Sequence, residues 1–151
     1  MLRERFNEAM KDAMRAKDTL TLSTVRLILA RLKEKDIEVR PKGNLDGIAE
    51  PEIQSMLQGM IKQRRDSIEL YEKGRRTDLA DKERGEIAVI ERFLPQQMNA
   101  AEEEAAIAET IAAIGAAGIK DMGRTMAALK ERYAGRIDAA KASQVVKRLL
   151  G

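Results

Sequence analysis

The chain is 151 residues long, with 28 Lys and Arg against 25 Asp and Glu and a formal net charge of +3. That length suits one domain or two small ones and excludes a large multidomain enzyme. The absence of Cys and His excludes disulfides, a thiol or imidazole nucleophile or base, and the usual zinc sites. A net charge of +3 does not mark a nucleic-acid binder, so any basic footprint must be local. Hydrophobic residues at 44% beside 35% charged residues make a globular composition. Aromatics are only 3%, so a base-stacking surface has only Tyr71, Tyr133, Phe6 and Phe93 to draw on, besides Arg planes. The N-terminal stretch mixes charge throughout, and no later run has the length to span a bilayer. A soluble, cytoplasmic protein without membrane contact is expected.

Leu2 to Ala16 reads as a first helix, with Leu2, Phe6, Ala9, Met10 and Ala13 on one face. A second runs from about Leu20 to Val39, and its centre VRLILARL is apolar on most sides, which predicts deep burial. RPKGNLDG (Arg40 to Gly47) has the composition of a surface loop. Pro51, flanked by Glu50 and Glu52, suits the first turn of a third helix. That helix carries Ile53, Met56, Leu57, Met60, Ile61, Ile68 and Tyr71 and stops at Gly74. Thr77 is placed to cap a fourth, from about Asp78 to Phe93, with Leu79, Ile87, Ile90 and Leu94 as its stripe, and Pro95 closes it.

After Pro95 the chain becomes Ala-rich and less charged, which places a subdomain boundary between residues 1–94 and 95–151. Asn99 and Glu102 have the spacing of a capping box opening a fifth helix, bearing Ile107, Ile111 and Ile114, that ends by Gly118. Met122, Met126, Leu129 and Tyr133 mark a sixth, broken by Gly135. Asp138 caps a seventh with Val145, Val146, Leu149 and Leu150. No segment alternates as a half-buried strand does, so the fold class is all-α, a four-helix part followed by a three-helix bundle.

Two basic clusters stand out. Ile61 to Ile87 holds Lys62, Arg64, Arg65, Lys73, Arg75 and Arg76, and its turn could present Arg75 and Arg76 to phosphates. Arg65, Glu69 and Lys73 at i, i+4, i+8, with Lys62 and Asp66, equally describe a self-neutralised solvated face. The last two helices carry Lys120, Arg124, Lys130, Arg132, Arg136, Lys141, Lys147 and Arg148 against Asp121, Glu131 and Asp138. This is the best local basic surface in the chain, although Lys147 and Arg148 also suit a helix C-terminus. Arg64 falls within the apolar stripe of the third helix and Glu83 within that of the fourth, so a buried interhelical ion pair between them is expected.

Other patterns have plain structural readings. Gly115-Ala-Ala-Gly118 is a helix terminus and not the clamp of an RNA-binding module, which also needs a sheet. The run Glu102, Glu103, Glu104 compensates a helix dipole. No Gly-rich phosphate cradle is present, and the serines have no His to activate them. Met56, Met60, Met122 and Met126 fill a core or, as the rival reading, offer an adaptable protein-binding surface.

At KQRRDSIELYEKGRRTDLADKERGEIAVIERFLPQQ (Lys62 to Gln97) and KDMGRTMAALKERYAGRIDAAKASQVVKRLL (Lys120 to Leu150) the chain resembles the GatB/YqeY family over nearly its whole length. The order QRRxSIExY, DLAxxE, FLPQQ, DMGxxM and GRxD carries the likeness. Where the family often has paired glycines before the Arg of the turn, this chain has Gly74 and then Arg75. The resemblance implies a C-terminal body like the tail of the B subunit of the tRNA-dependent amidotransferase, which helps hold tRNA while other domains activate and amidate the misacylated residue. Carbon-nitrogen ligase activity with glutamine as amide donor is expected to belong to that large enzyme, since these residues supply no nucleotide cradle, Cys or His. The expectation is a non-catalytic accessory protein without cofactor or metal. It would bind tRNA or structured RNA through Arg124, Lys130, Arg132, Lys141, Lys147 and Arg148, with Arg75 and Arg76. The alternative is a protein-protein interaction module of the translation or amidotransferase machinery.

Overall fold

The computed structural model describes Met1 to Gly151, all of it helix, turn and loop. The chain divides into two compact units, Met1–Leu94 and Pro95–Gly151.

In the first unit, α1 (Leu2–Ala16) ends where Lys17 turns left-handed at φ 55°. Asp18 then caps α2 (Thr19–Val39), accepting from the Thr21 N–H at 3.1 Å and the Thr21 hydroxyl at 2.7 Å. One 3-10 turn, Arg40–Lys42, and a loop lead to α3 (Glu50–Lys73), with Pro51 in its first turn and Gly74 after its last. The fourth helix, α4, is Thr77–Glu91. Thr77 does not cap it. Arg76 occupies the capping position, and Thr77 is already helical. The core gathers Leu2 and Phe6 from α1, Val25, Ile28 and Leu32 from α2, Ile53, Leu57 and Ile61 from α3, and Val89 and Ile90 from α4. Phe6 meets Phe93 edge to face at 4.9 Å.

The centre of α2 is less enclosed than its composition predicts. Val25 and Ile28 are fully buried, but Leu27 is 46% exposed.

Arg64 is paired with Glu86, not with Glu83. Its Nε donates to Glu86 at 2.8 Å, with the two side chains 13% and 10% exposed, and its Nη1 donates to the Met60 carbonyl at 3.1 Å. The buried residues of α4 are Ala80, Glu86, Val89 and Ile90, a stripe centred on Glu86. The expected stripe includes Leu79 and Ile87, which are only half-buried, and leaves out Val89, which is buried. At about 100° per residue Val89 lies about 60° from Glu86 and about 120° from Glu83, so it turns the buried face toward Glu86.

In the second unit, Asn99 and Glu102 form the capping box of α5 (Ala100–Ile114), with N···O distances of 2.8 and 3.3 Å. The helix stops at Gly115, left-handed at φ 66°, three residues before the expected Gly118. A 3-10 turn, Ile119–Asp121, leads to α6 (Met122–Arg132), and Asp138 caps α7 (Ala139–Leu150). Ile107, Leu129, Ala142 and Val146 are the buried centre, with Met122 and Met126 packed against it. Met56 and Met60 are buried in the first unit, so all four methionines take part in core packing.

Removing one partner of a buried pair leaves the other charge uncompensated. Glu86→Ala is therefore expected to destabilise the protein by about 3 kcal/mol in urea denaturation, while Glu83→Ala costs less than about 1 kcal/mol. Replacing both Arg64 and Glu86 by Met and Leu is expected to recover most of the loss.

Candidate nucleic-acid interface

The cations singled out in the sequence fall into two groups once their surroundings are known. Most of the arginines hold the fold together. Arg124, near the start of α6, donates to the Ile114 carbonyl at the end of α5 at 2.9 Å and pairs with Asp121 at 3.3 Å. Asp121 also accepts from the Ala117 N–H at 2.8 Å, so the α5–α6 connection is tied from both sides. Those donors, the Ala117 N–H first, hold the Asp121 carboxyl below its ordinary range.

Arg132 reaches back to α5, to the Thr110 hydroxyl at 3.3 Å and Glu109 at 3.9 Å, and lies over the Tyr133 ring at 6.0 Å. Arg148 pairs with Glu104 at 3.0 Å. Arg76 is clasped by Asp78 through two hydrogen bonds of 3.2 and 3.1 Å. Arg136 donates to the Gln96 carbonyl at 3.0 Å, and the Met98 N–H donates to the Arg136 carbonyl at 3.3 Å. The FLPQQ and GRxD motifs are thus the two sides of one joint.

Lys130, Lys141, Lys147 and Arg75 are exposed, and none has a side-chain hydrogen bond or ion pair. Lys141 and Arg148, seven residues apart, share one face of α7, opposite the Glu102 to Glu104 run; Lys147 lies about 120° from Lys141 around the same helix. Lys141 and Lys147 therefore do not share one face of α7. The acid run compensates the α5 dipole and also neutralises part of α7.

Glu103 shows the cost of this arrangement. Partial burial raises its carboxyl above the usual range, and the nearby Asp138 charge adds to the rise. The Asp138 N–H and Lys141 act in the opposite sense.

In the first unit the charge ladder is only partly as spaced. Lys73 pairs with Glu69 at 3.3 Å, but Arg65 crosses to Glu91 at 3.7 Å. Arg84 is held by Glu72 and by Asp81. Arg75 stands in the left-handed region at φ 57°, where glycine is favoured. No three of the chain's Asp and Glu side chains come together as a metal site. No helix is long and apolar enough to cross a membrane.

The pattern of the family described as Yqey-like protein matches residues 3–150. The chain belongs to that family. Similar curated proteins are the fungal proteins named "Altered inheritance of mitochondria protein 41, mitochondrial". The Lachancea thermotolerans protein is 41% identical over 95 residues, covering 63% of this chain and 49% of the relative. That of Eremothecium gossypii is 38% identical over 101 residues, 67% and 53%, and that of Candida glabrata 34% over 87 residues, 58% and 46%. The chain spans about half the length of these relatives. Their names overturn the cytoplasmic expectation, because they are mitochondrial proteins. Lack of Cys and mixed terminal charge are compatible with more than one reducing compartment and do not select the cytoplasm.

A carboxyl whose folded pKa is raised stabilises the fold only while protonated, a contribution lost as pH rises through the folded value. Glu103→Gln is expected to be more stable than wild type at pH 7. The difference should close as pH falls through the carboxylate range, as followed by urea denaturation at each pH.

Proposed function

We propose that the chain is a non-catalytic accessory protein that binds the backbone of tRNA or a similarly structured RNA through the lysines of α6 and α7. The observation that carries this reading is that Lys130, Lys141 and Lys147 are exposed and make no side-chain hydrogen bond or ion pair, while Arg124 and Arg132 beside them are tied to α5. Free lysines are point charges suited to phosphate contact. The likeness to the amidotransferase tail, which helps hold tRNA, supports the choice of RNA. Arg75, exposed in the first unit, is a separate candidate for phosphate contact on that unit.

With few aromatic residues to stack on bases, recognition rests on shape and phosphate, with little sequence preference. The non-catalytic part of the reading rests on the side-chain inventory, which lacks Cys, His and a Gly-rich nucleotide cradle.

The test is a tRNA titration at several salt concentrations with wild type and the triple variant Lys130→Ala, Lys141→Ala, Lys147→Ala. The variant is expected to bind more weakly and to lose about 0.9 of log-log salt slope for each contact removed. Equal affinity and slope in the two proteins refute RNA binding by these lysines. Amide transfer to misacylated tRNA by the purified protein, abolished by a point substitution in it, refutes the non-catalytic reading.

A further inference from the structure

The first unit contains an open cavity of about 350 Å³ between α2 and α3. Arg31 and Lys35 form its α2 wall, and Met56, Gly59, Met60 and Gln63 its α3 wall. Gly59 is the unusual member. It lies in the interior of a 24-residue helix, where glycine costs about 1 kcal/mol relative to alanine. Apart from its own helix backbone and chain neighbours, a Cβ added there meets no atom within 4 Å. Gly85, the glycine inside α4, differs: a Cβ on it would stand 2.9 Å from Leu20. Packing within the chain thus explains Gly85 and leaves Gly59 unexplained. A backbone position stripped of its side chain, exposed and facing a cavity, is suited to close approach by another backbone.

The walls continue beyond the cavity. Leu27, Arg31 and Lys35 are spaced i, i+4, i+8 on α2, and Leu27 is left 46% exposed. On α3, Glu52, Gly59, Gln63 and Leu70 share a face to within about 40°. Leu70 is 68% exposed. From Glu52 to Leu70 this face is about 27 Å long at about 1.5 Å per residue.

The charges of the groove are unequal. Glu52 is turned to its own helix start, accepting from the Ala49 N–H at 3.4 Å. Arg31 and Lys35 have only neighbours one turn away, Glu34 at 2.8 Å and Glu38 at 3.7 Å, exposed pairs that exchange at little cost. We propose that this groove receives an amphipathic helix of a protein partner, about 18 residues long. Its apolar side chains cover Leu27, Leu70 and the methionine floor, a small residue crosses at Gly59, and its carboxylates meet Arg31 and Lys35. The methionine floor adapts to the anchor side chains, and an apolar floor of this kind offers nothing to a sugar-phosphate backbone.

Two measurements on the full chain test the proposal. The first is the thermal stability of Gly59→Ala, which is expected to melt about 2 to 4 °C higher than wild type because nothing in the chain needs the glycine. A lower melting temperature would show an intrachain reason for Gly59 and remove the premise. The second is selection of a displayed library of helical peptides on wild-type protein, with counter-selection on Gly59→Leu. Acidic amphipathic helices are expected, losing at least tenfold in affinity on Arg31→Glu with Lys35→Glu. Tests of tRNA affinity in these variants separate this groove from the α6 and α7 lysines, which they leave intact. A library that yields no Gly59-dependent helix, or yields basic or extended peptides, overturns the assignment. Protection of Arg31 and Lys35 from chemical modification by tRNA in place of peptide does so too.

Discussion

The first unit depends on one charged knot at the crossover from α2 to α3. Asp36, near the end of α2, accepts two hydrogen bonds from the Arg3 guanidinium at 2.8 and 2.9 Å and a third from the Ile48 N–H at 2.9 Å. Arg3 also donates to the Ile48 carbonyl at 2.8 Å. The start of α1, the end of α2 and the approach to α3 are therefore fixed to one another by two side chains. Gly47 makes this possible. Its φ is +90°, and a Cβ there would stand 2.7 Å from the Asp36 Cγ and 2.8 Å from the Arg3 Nη2. The Leu2 N–H donates to Glu50 at 2.7 Å and extends the tie into the first turn of α3. The Arg3 hydrogen bonds, reinforced by the Ile48 N–H, hold the Asp36 carboxyl below its ordinary range, so the knot is charged at neutral pH. Because the loop is held here, α3 starts at a set distance from α2, and the groove that ends at Ile48 is a consequence of the knot.

The Arg64 and Glu86 pair is a different kind of device. Two buried charges between packed helices gain little net free energy over apolar residues of the same volume, but they penalise any other register heavily. In α3 and α4, whose stripes otherwise consist of interchangeable aliphatic residues, one ion pair selects a single rotation of each helix. The same fact explains why the sequence made the existence of the pair legible and its partner illegible. Arg64 is a single charge in a long apolar stripe, whereas Glu83 and Glu86 compete on α4. The choice of Glu83 fails because Val89, which is buried beside Glu86, is not counted in the expected stripe, while the half-buried Leu79 and Ile87 are.

Local chemistry was the legible part. Asn99 with Glu102, Asp138, Pro51 and Gly74 mark helix ends by hydrogen-bonding capacity or backbone restriction, and these act within a few residues. Asp36 and Arg3 were not legible, since their pairing spans 33 residues and neither sits in an apolar stripe. Nor did a count of cations on α6 and α7 separate structural from free charge. The separation follows from side-chain geometry. A planar guanidinium with five donors can satisfy the carbonyls at helix ends and a carboxylate together, as Arg124 does, whereas an ammonium is readily left in solvent. Read this way, an arginine beside a helix terminus points to a joint, and the motif pair FLPQQ and GRxD is such a joint.

The same distinction limits what the second unit can do by itself. In the proposed RNA-binding role, three lysine contacts to phosphate would give a log-log salt slope of about −2.7, with an affinity that falls steeply toward cellular ionic strength. Shape-directed backbone contact of this size does not select one RNA among many. On the proposed RNA-binding reading, selectivity must come from a second attachment, and the helix proposed to seat against α2 and α3 would supply one through residues other than the lysines of α6 and α7. If that partner itself holds the RNA, the lysine contact becomes intramolecular, and a weak surface acts at a high effective concentration set by the partner.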